Sequence, residues 1–337
     1  MNLPHSLYPL HEDIQAQLKA VVYAHNFPLY NMLAYHLGWK DEHGEEVNTG
    51  SKDYVHSTLC LLTSEAVGGE SKYALQSAAA VELVNQFALI HSDIQDAVSE
   101  RDHRPTVWWV WGPAQAINAG DAMHALARLS LLQQSDKSLS VDKTLEAVRV
   151  LDQACLSLCE GRYLDLLYRE RLNISMESYF QMAECKSAAL MSCSTEIGAL
   201  TASSDNEVVR ALSTFGLKLG LALNIRNEIS DLWDLNLDDR YFSGDLLSKK
   251  KSLPIIYALQ NASGAAKHDL GDVYFKRVME PSDLPKLIAV LDSLNAKDYS
   301  QNMVETLYNE AIESLNLASI PPNKLKILTE FADWILS

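Results

Sequence analysis

The 337-residue chain predicts an all-α protein, a bundle of packed helices. Apolar residues recur at intervals of three and four along almost its whole length. Alternating strand patterns are nearly absent, and only 14 Gly and 10 Pro punctuate the sequence. With a hydrophobic fraction of 47% and no linker, internal repeat or low-complexity stretch, residues 1–337 read as a single domain.

Residues 11–37 read as one amphipathic helix that buries Leu18, Val21, Val22, Leu29, Met32 and Leu33, with a kink at Phe27-Pro28. The polar connection GWKDEHGEEVNTGSK leads to a helix over 54–67, which Gly68-Gly69 stops. The stretch 81–121 organises the rest. It opens as a helix with Leu83, Phe87 and Ile90 on one face, and that face gives way to Ser92, Asp93 and Asp96. A polar loop carrying Arg101 and Arg104 follows, Pro105 closes it, and Trp108, Trp109 and Trp111 lead into Gly112-Pro113. Helical periodicity then covers 114–132, 145–168, 177–202 and 206–233. A further helix starts at 252–259, and 283–294, 300–317 and 323–336 finish the chain.

The net charge of −16 excludes a general nucleic-acid or anionic-membrane binder. No uninterrupted apolar run of ~18 residues predicts a membrane span. The leading MNLPHSLYPLHEDIQ lacks the basic and apolar blocks of a signal peptide, and the five cysteines form no metal or redox spacing, so cytoplasmic residence is expected.

Two clusters carry candidate chemistry. The first is Ser92, Asp93 and Asp96 with Arg101 just beyond. Carboxylate oxygens are hard ligands suited to Mg²⁺, and guanidinium forks match phosphate oxygens. The second is LGLALNIRNEISDLWD, where Asn224 and Glu228, and Asn227 and Asp231, are four apart on a broad helix face. Downstream, DDRYFSGDLLSKKKSLP ends in Lys249, Lys250 and Lys251. Lys186 interrupts the apolar helix AECKSAALMSCSTEIGAL, where a lysine is out of place unless it faces a polar cavity. Either cluster alone reads equally as a solvated helix face; the pair, with spaced Lys and Arg, points to one shared site.

These residues resemble the trans-isoprenyl diphosphate synthases, and the resemblance runs through YHLGWKDEHG, CLLTSEAVGG, RPTVWWVWGPAQAINAGDA, LCEGRYLDL, CKSAAL and KKKSLPIIYAL, nearly the whole chain. It implies the isoprenoid-synthase bundle, with a deep central cavity between two Asp-rich motifs that bind an allylic diphosphate through Mg²⁺, and a homodimer; the apolar helices 114–132 and 145–168 read either as its interface or as intramolecular core. The first motif, Asp-Asp-x-x-Asp in the family, is Ser92-Asp93-Ile94-Gln95-Asp96 here. The second is Asn227-Glu228-Ile229-Ser230-Asp231. The resemblance thus assigns Mg²⁺ to Asp93, Asp96, Glu228 and Asp231, with Asn227 as a neutral oxygen ligand. It assigns diphosphate to Arg101, Lys186, Asn224, Arg240, Lys250 and Lys52, and tail depth to Phe87 and Ala88 beside Ser92.

Departures fall mainly on the isopentenyl diphosphate pocket. The family's Gly-Lys-Arg-x-Arg-Pro aligns with Ser51-Lys52-Asp53-Tyr54-Val55-His56, its histidine with Asn85, and the second arginine of an Arg-Arg pair with Asp102. Carboxylates where phosphate should sit repel it. The reading that follows is a terpene-synthase-like enzyme. It ionises a prenyl diphosphate of C20 length, linear or cyclised, the bicyclic case being that of the kolavelool-type diterpene enzymes, and quenches the cation with water or by proton loss, with Asn85 orienting the water and Asp102 or Asp53 accepting a proton. The alternatives are a chain-elongating prenyltransferase of the geranylgeranyl or farnesyl diphosphate synthase type, or a non-catalytic regulatory subunit of one.

Overall fold

A computed structural model describes residue 4 and residues 7–47, 53–136, 139–171, 173–234, 249–274, 276, 279–318 and 320–337. Among the described residues there are fifteen α-helices. They are α1 (Tyr8–Val22), α2 (Pro28–His36), α3 (Val55–Ala66), α4 (Ser71–Gln95), α5 (Val107–Trp111), α6 (Pro113–Leu132), α7 (Val141–Arg169) and α8 (Met176–Ala183). There follow α9 (Ala189–Leu200), α10 (Asn206–Trp233), α11 (Leu253–Asn261), α12 (Gly264–Tyr274), α13 (Leu284–Ser293), α14 (Ala296–Leu317) and α15 (Pro322–Leu336).

The expected helix over 11–37 is two helices. Pro28 cannot donate a backbone hydrogen bond, and the extended Phe27 before it starts α2 afresh. Predicted 206–233 is α10 to the residue, because Asp205 accepts from the N–H groups of Glu207 and Val208 at its start. The segment 177–202 is continuous but contains a π-helical turn, Glu184–Ala188, between α8 and α9. The helix over 81–96 begins ten residues earlier than predicted, at Ser71, and α12 went unpredicted.

Among the described residues one small sheet interrupts the helices: Glu100–Arg101 pairs antiparallel with Arg104–Pro105, Arg101 opposite Arg104. Asp102 and His103 form its two-residue turn, both at positive φ, 52° and 59°. That is the left-handed geometry of a tight hairpin, which Asp tolerates better than most side chains.

The main apolar core gathers Leu18, Leu33, Leu59, Leu62, Leu83, Met123, Ile197 and Phe215 from helices α1 to α10. Each such burial contributes roughly 1.5–3 kcal/mol before the entropy of ordering is set against it. Helix α10 has the length and mean apolarity of a bilayer-crossing helix, although Lys218 and Arg226 interrupt its apolar run, as the expectation from sequence has it. It nevertheless lies within the bundle, with 56% of its most apolar window buried, and carries the second acidic cluster.

Candidate active site

A cavity of about 880 Å³ opens between α4, α7, the π turn, α10 and residues 250–252, within the size range of small-molecule sites. Of the residues singled out from sequence, Asn85, Phe87, Ala88, Ser92, Asp96, Arg101, Lys186, Asn224, Asn227, Glu228, Asp231 and Lys250 line it. Lys52 and Arg240 lie outside the described residues. Asp93, Val55 and Asp102 do not line it. Each has a local reason.

Asp93 is buried behind Arg101, accepting from its Nε at 3.1 Å and its Nη2 at 2.5 Å. It holds the guanidinium of Arg101, which lines the cavity, while Asp93 itself, the expected metal ligand, is not part of the lining. Asp102 sits exposed at the hairpin tip, one residue beyond Arg101, as the first residue of the two-residue turn. The water-handling role expected of Asp102 has no geometric support. Val55, the first residue of α3, packs half-buried against the apolar core.

Asp96, at the end of α4, faces Asp165 of α7, and Arg162 and Arg169 lie between them. Arg162 Nη2 donates to Asp96 Oδ1 and Nη1 to Asp165 Oδ2 at 2.8 Å. Arg169 Nη2 reaches the same two oxygens, each at 2.8 Å. Lys186 Nζ stands 3.1 Å from Asp165 Oδ1, and Lys250 Nζ 3.4 Å from Asp96 Oδ2. Burial pushes both carboxyls up, but the cations outweigh it: Lys250, Arg162 and Arg169 hold Asp96 below the usual carboxylate range. Lys186, Arg169 and Lys250 hold Asp165 well below it.

The opposite wall is built differently. Glu228 Oε2 accepts from Tyr179 Oη and from the backbone N–H of Leu253, both at 2.8 Å, and Oε1 accepts from Asn224 Nδ2 at 2.9 Å. The carboxylate thereby satisfies an orphan N–H at the start of α11. Burial pushes its carboxyl above the ordinary value despite Lys186 and these donors. Asn227 and Asp231 face the cavity beside it.

Lys186 reaches the cavity because of the π turn and a glycine. A Cβ on Gly161 of α7 would run into the backbone of Lys186, so only glycine lets α7 and the turn approach so closely. At the cavity's apolar end, Phe87 meets His91 edge-on at 4.8 Å and stacks on His124 at 4.9 Å.

Arg162, Asp165 and Arg169 were not among the candidates. Their signal was present as Arg and Asp three apart and Asp and Arg four apart, the spacing of a charged ladder on one helix face. It reads equally as a solvated face until α4 is seen to abut it.

On the α4–α7 wall the Mg²⁺ ligands implied by resemblance are already engaged as they stand, while Asn227 and Asp231 of α10 face the cavity. Every carboxylate oxygen of Asp96 and Asp165 is engaged by a cation, Asp93 is paired with Arg101, and Glu228 is held by three neutral donors. Among the described residues, His124, Asp152 and Cys155, and His268, Asp269 and Asp272, are close enough to hold an ion, and none of the six lines the cavity.

The polyprenyl synthetase family model matches residues 45–291. The chain is 33% identical over 301 residues to the geranylgeranyl diphosphate synthase of Mycobacterium tuberculosis, covering 89% of this chain and 85% of that protein. It is also 33% identical over 309 residues to a (2E,6E)-farnesyl diphosphate synthase of the same organism, covering 90% and 85%. The crystal structure of a polyprenyl synthetase from Streptomyces coelicolor A3(2) superposes with a TM-score of 0.88 at 30% identity, covering 98% of this chain and all of that one (100%). Matches of this extent, on a bundle whose cavity lies between the two acidic segments, make the chain a member of the polyprenyl synthetase family, with the all-α isoprenoid-synthase fold.

Proposed function

We propose that the chain binds one prenyl diphosphate in this cavity and cleaves its allylic carbon–oxygen bond without condensing it with isopentenyl diphosphate. The observation that supports this reading is the contrast between one cation-rich subsite and a second region that, among the described residues and so apart from Lys52, has no such cluster of cations. Arg101, Arg162, Arg169, Lys186 and Lys250 converge on one end of the cavity. The region aligned with the second diphosphate site offers Asp53, Val55, His56 and Asn85 instead. Its buried charge is Glu82, which accepts from Ser57 Oγ at 2.8 Å, Asn85 Nδ2 at 3.0 Å and Gln86 Nε2 at 2.6 Å. Burial lowers the pKa of His56 despite nearby Glu82, favouring a neutral imidazole.

In this reading the electron pair of the breaking bond leaves with the diphosphate, and guanidinium and ammonium groups already in place stabilise the charge that develops. The cation then loses a proton to give an olefin or takes water, with loss of a proton, to give an alcohol. The cavity's apolar end at Phe87 and Ala88 suits the hydrocarbon tail, a C20 chain, linear or cyclised. Mg²⁺ is assigned no step.

The names of the relatives favour a second reading, and more directly: chain elongation, as in a geranylgeranyl or farnesyl diphosphate synthase. Both readings share the substrate class and the isoprenoid context. Incubation with geranyl, farnesyl and geranylgeranyl diphosphates, with and without isopentenyl diphosphate, separates them by pyrophosphate release and product mass. Release without isopentenyl diphosphate supports the first reading. Lengthened products formed only in its presence replace it with the second. Silence under all conditions supports a non-catalytic subunit. A homodimer and a cytoplasmic location belong to the same proposal. The exposed Leu129 and Leu132 of α6 and Leu145 and Leu156 of α7 support an interface there.

A further inference from the structure

Two carboxylates facing each other in a half-closed cavity repel unless a cation lies between them. Here the side chains of Asp96 and Asp165 are 6% and 1% exposed, and the bridging group is a guanidinium. Arg162 spans the pair, one terminal nitrogen to each carboxylate, and its Nε donates to Gln95 Oε1 at 2.7 Å. Three contacts in one plane fix the orientation of the fork. Arg169 makes a second bridge, and Lys186 and Lys250 engage the outer oxygens. Four cations thus meet two carboxylates, and this wall of the cavity is net positive before any ion or substrate arrives. A divalent ion entering here would have to displace charge-assisted hydrogen bonds and join an already positive cluster.

We propose that Arg162 is a resident cation in place of a divalent metal ion between Asp96 and Asp165, and that this wall binds the diphosphate group directly. The proposal rests on the prenyl diphosphate reading of the cavity. Three of the five guanidinium N–H groups of Arg162 serve Gln95, Asp96 and Asp165, which leaves two to donate to phosphate oxygens. The guanidinium is covalently part of the chain, so the bridge is always in place where a metal ion would come and go with supply.

The test has an arm without ligand and an arm with inorganic pyrophosphate. In the first, Mn²⁺ is titrated into wild type and Arg162→Gln, and free Mn²⁺ is followed by its paramagnetic resonance signal. The variant should bind one more Mn²⁺ than wild type, and Asp165→Asn added to it should remove that ion. In the second, pyrophosphate binding is measured by calorimetry in EDTA and in Mg²⁺. Wild type should bind in EDTA within about 3-fold of its affinity in Mg²⁺, a difference of less than ~1 kcal/mol. Arg162→Gln should lose at least ~10-fold in EDTA, as for one charge-assisted contact, and recover in Mg²⁺. Arg162→Lys keeps the charge without the fork, and should exclude the extra Mn²⁺ while holding pyrophosphate more weakly. Circular dichroism confirms that each variant is folded.

Equal Mn²⁺ counts in wild type and Arg162→Gln would overturn the bridging role. Pyrophosphate binding by wild type only in Mg²⁺ would overturn direct anion binding and leave the substrate reading standing. No pyrophosphate binding in either condition would sink the anion-holding half together with the substrate reading, and the Mn²⁺ count alone would then decide whether Arg162 excludes metal.

Discussion

The two walls of the cavity use the same residue chemistry to opposite ends. On the α4–α7 wall, Asp96 and Asp165 are surrounded by arginine and lysine and are held in the charged form. On the α10 wall, Glu228 is buried among a phenol, an amide and a peptide N–H, and its pKa moves up. A carboxylate's part in this site is therefore set by what the neighbouring helices bring to it. The first wall carries a surplus of cations. On the second, Glu228 joins α8, α10 and α11 through neutral donors.

The difference is largest for Asp165. Asp165→Asn leaves Arg162, Arg169 and Lys186 short of a buried counter-charge, and should cost ~3–5 kcal/mol, read from the midpoint of urea unfolding. A loss below ~1 kcal/mol would mean that solvent screens this network as it does a surface pair.

Next in size is the dependence of stability on pH, where the two walls should act with opposite sign. The folded pKa values of Asp96 and Asp165 are depressed. Their contribution is complete above the unfolded value, near pH 4, and is lost as pH falls through the folded values. Glu228 has a raised folded pKa, so its contribution is present below its unfolded value and is lost as pH rises through the folded one. Asp165→Asn should flatten the acid arm of the stability profile, and Glu228→Gln the arm just above pH 4. Unchanged profiles would erase the contrast.

Arg101 and Asp102 are neighbours on the hairpin with unlike surroundings. Arg101→Ala should raise KM for a prenyl diphosphate by at least ~10-fold through loss of a charge-assisted contact. Asp102→Ala, at the exposed tip, should change KM less than ~2-fold and destabilise slightly, through the turn's positive φ. A severe loss at Asp102 would restore it to the chemistry.

The smallest effect is expected at Asn85. Asn85→Leu removes a donor to Glu82 and a polar group from the cavity wall, and should shift product from alcohol toward olefin with pyrophosphate release nearly unchanged. Product oxygen that carries no label from ¹⁸O-water would mean phosphorus–oxygen cleavage and remove the carbocation step.

The bundle was legible because helical period is a local signal: α10 is bounded by its Asp205 cap and by the end of its apolar face. The cavity was half legible. Asp96, Asp231 and Lys186 stood out as polar groups ending or interrupting apolar faces. Asp93 has the same look in the sequence and is not part of the lining, because Arg101 claims it across the hairpin. Nothing within α10 tells that Glu228 will meet Tyr179 and the N–H of Leu253, groups 49 and 25 residues away. Arg162 and Arg169 pair with Asp96 across 66 and 73 residues. Partnership over such separations follows from helix packing, which a single sequence does not print.

The π turn at Glu184–Ala188 also has a consequence in the arithmetic of the chain. A π turn holds one residue more than the α-helical turn it replaces. Deleting a single residue there would let α8 and α9 join as one regular helix with little change in the relative facing of the residues on either side, because the wide turn is what absorbs the extra residue. Tyr179, before the turn, would keep its reach to Glu228. Lys186, inside the turn and set against Gly161 of α7, would move as the turn tightens. A one-codon deletion would therefore weaken the α4–α7 wall, spare the α10 wall and leave the helix content intact.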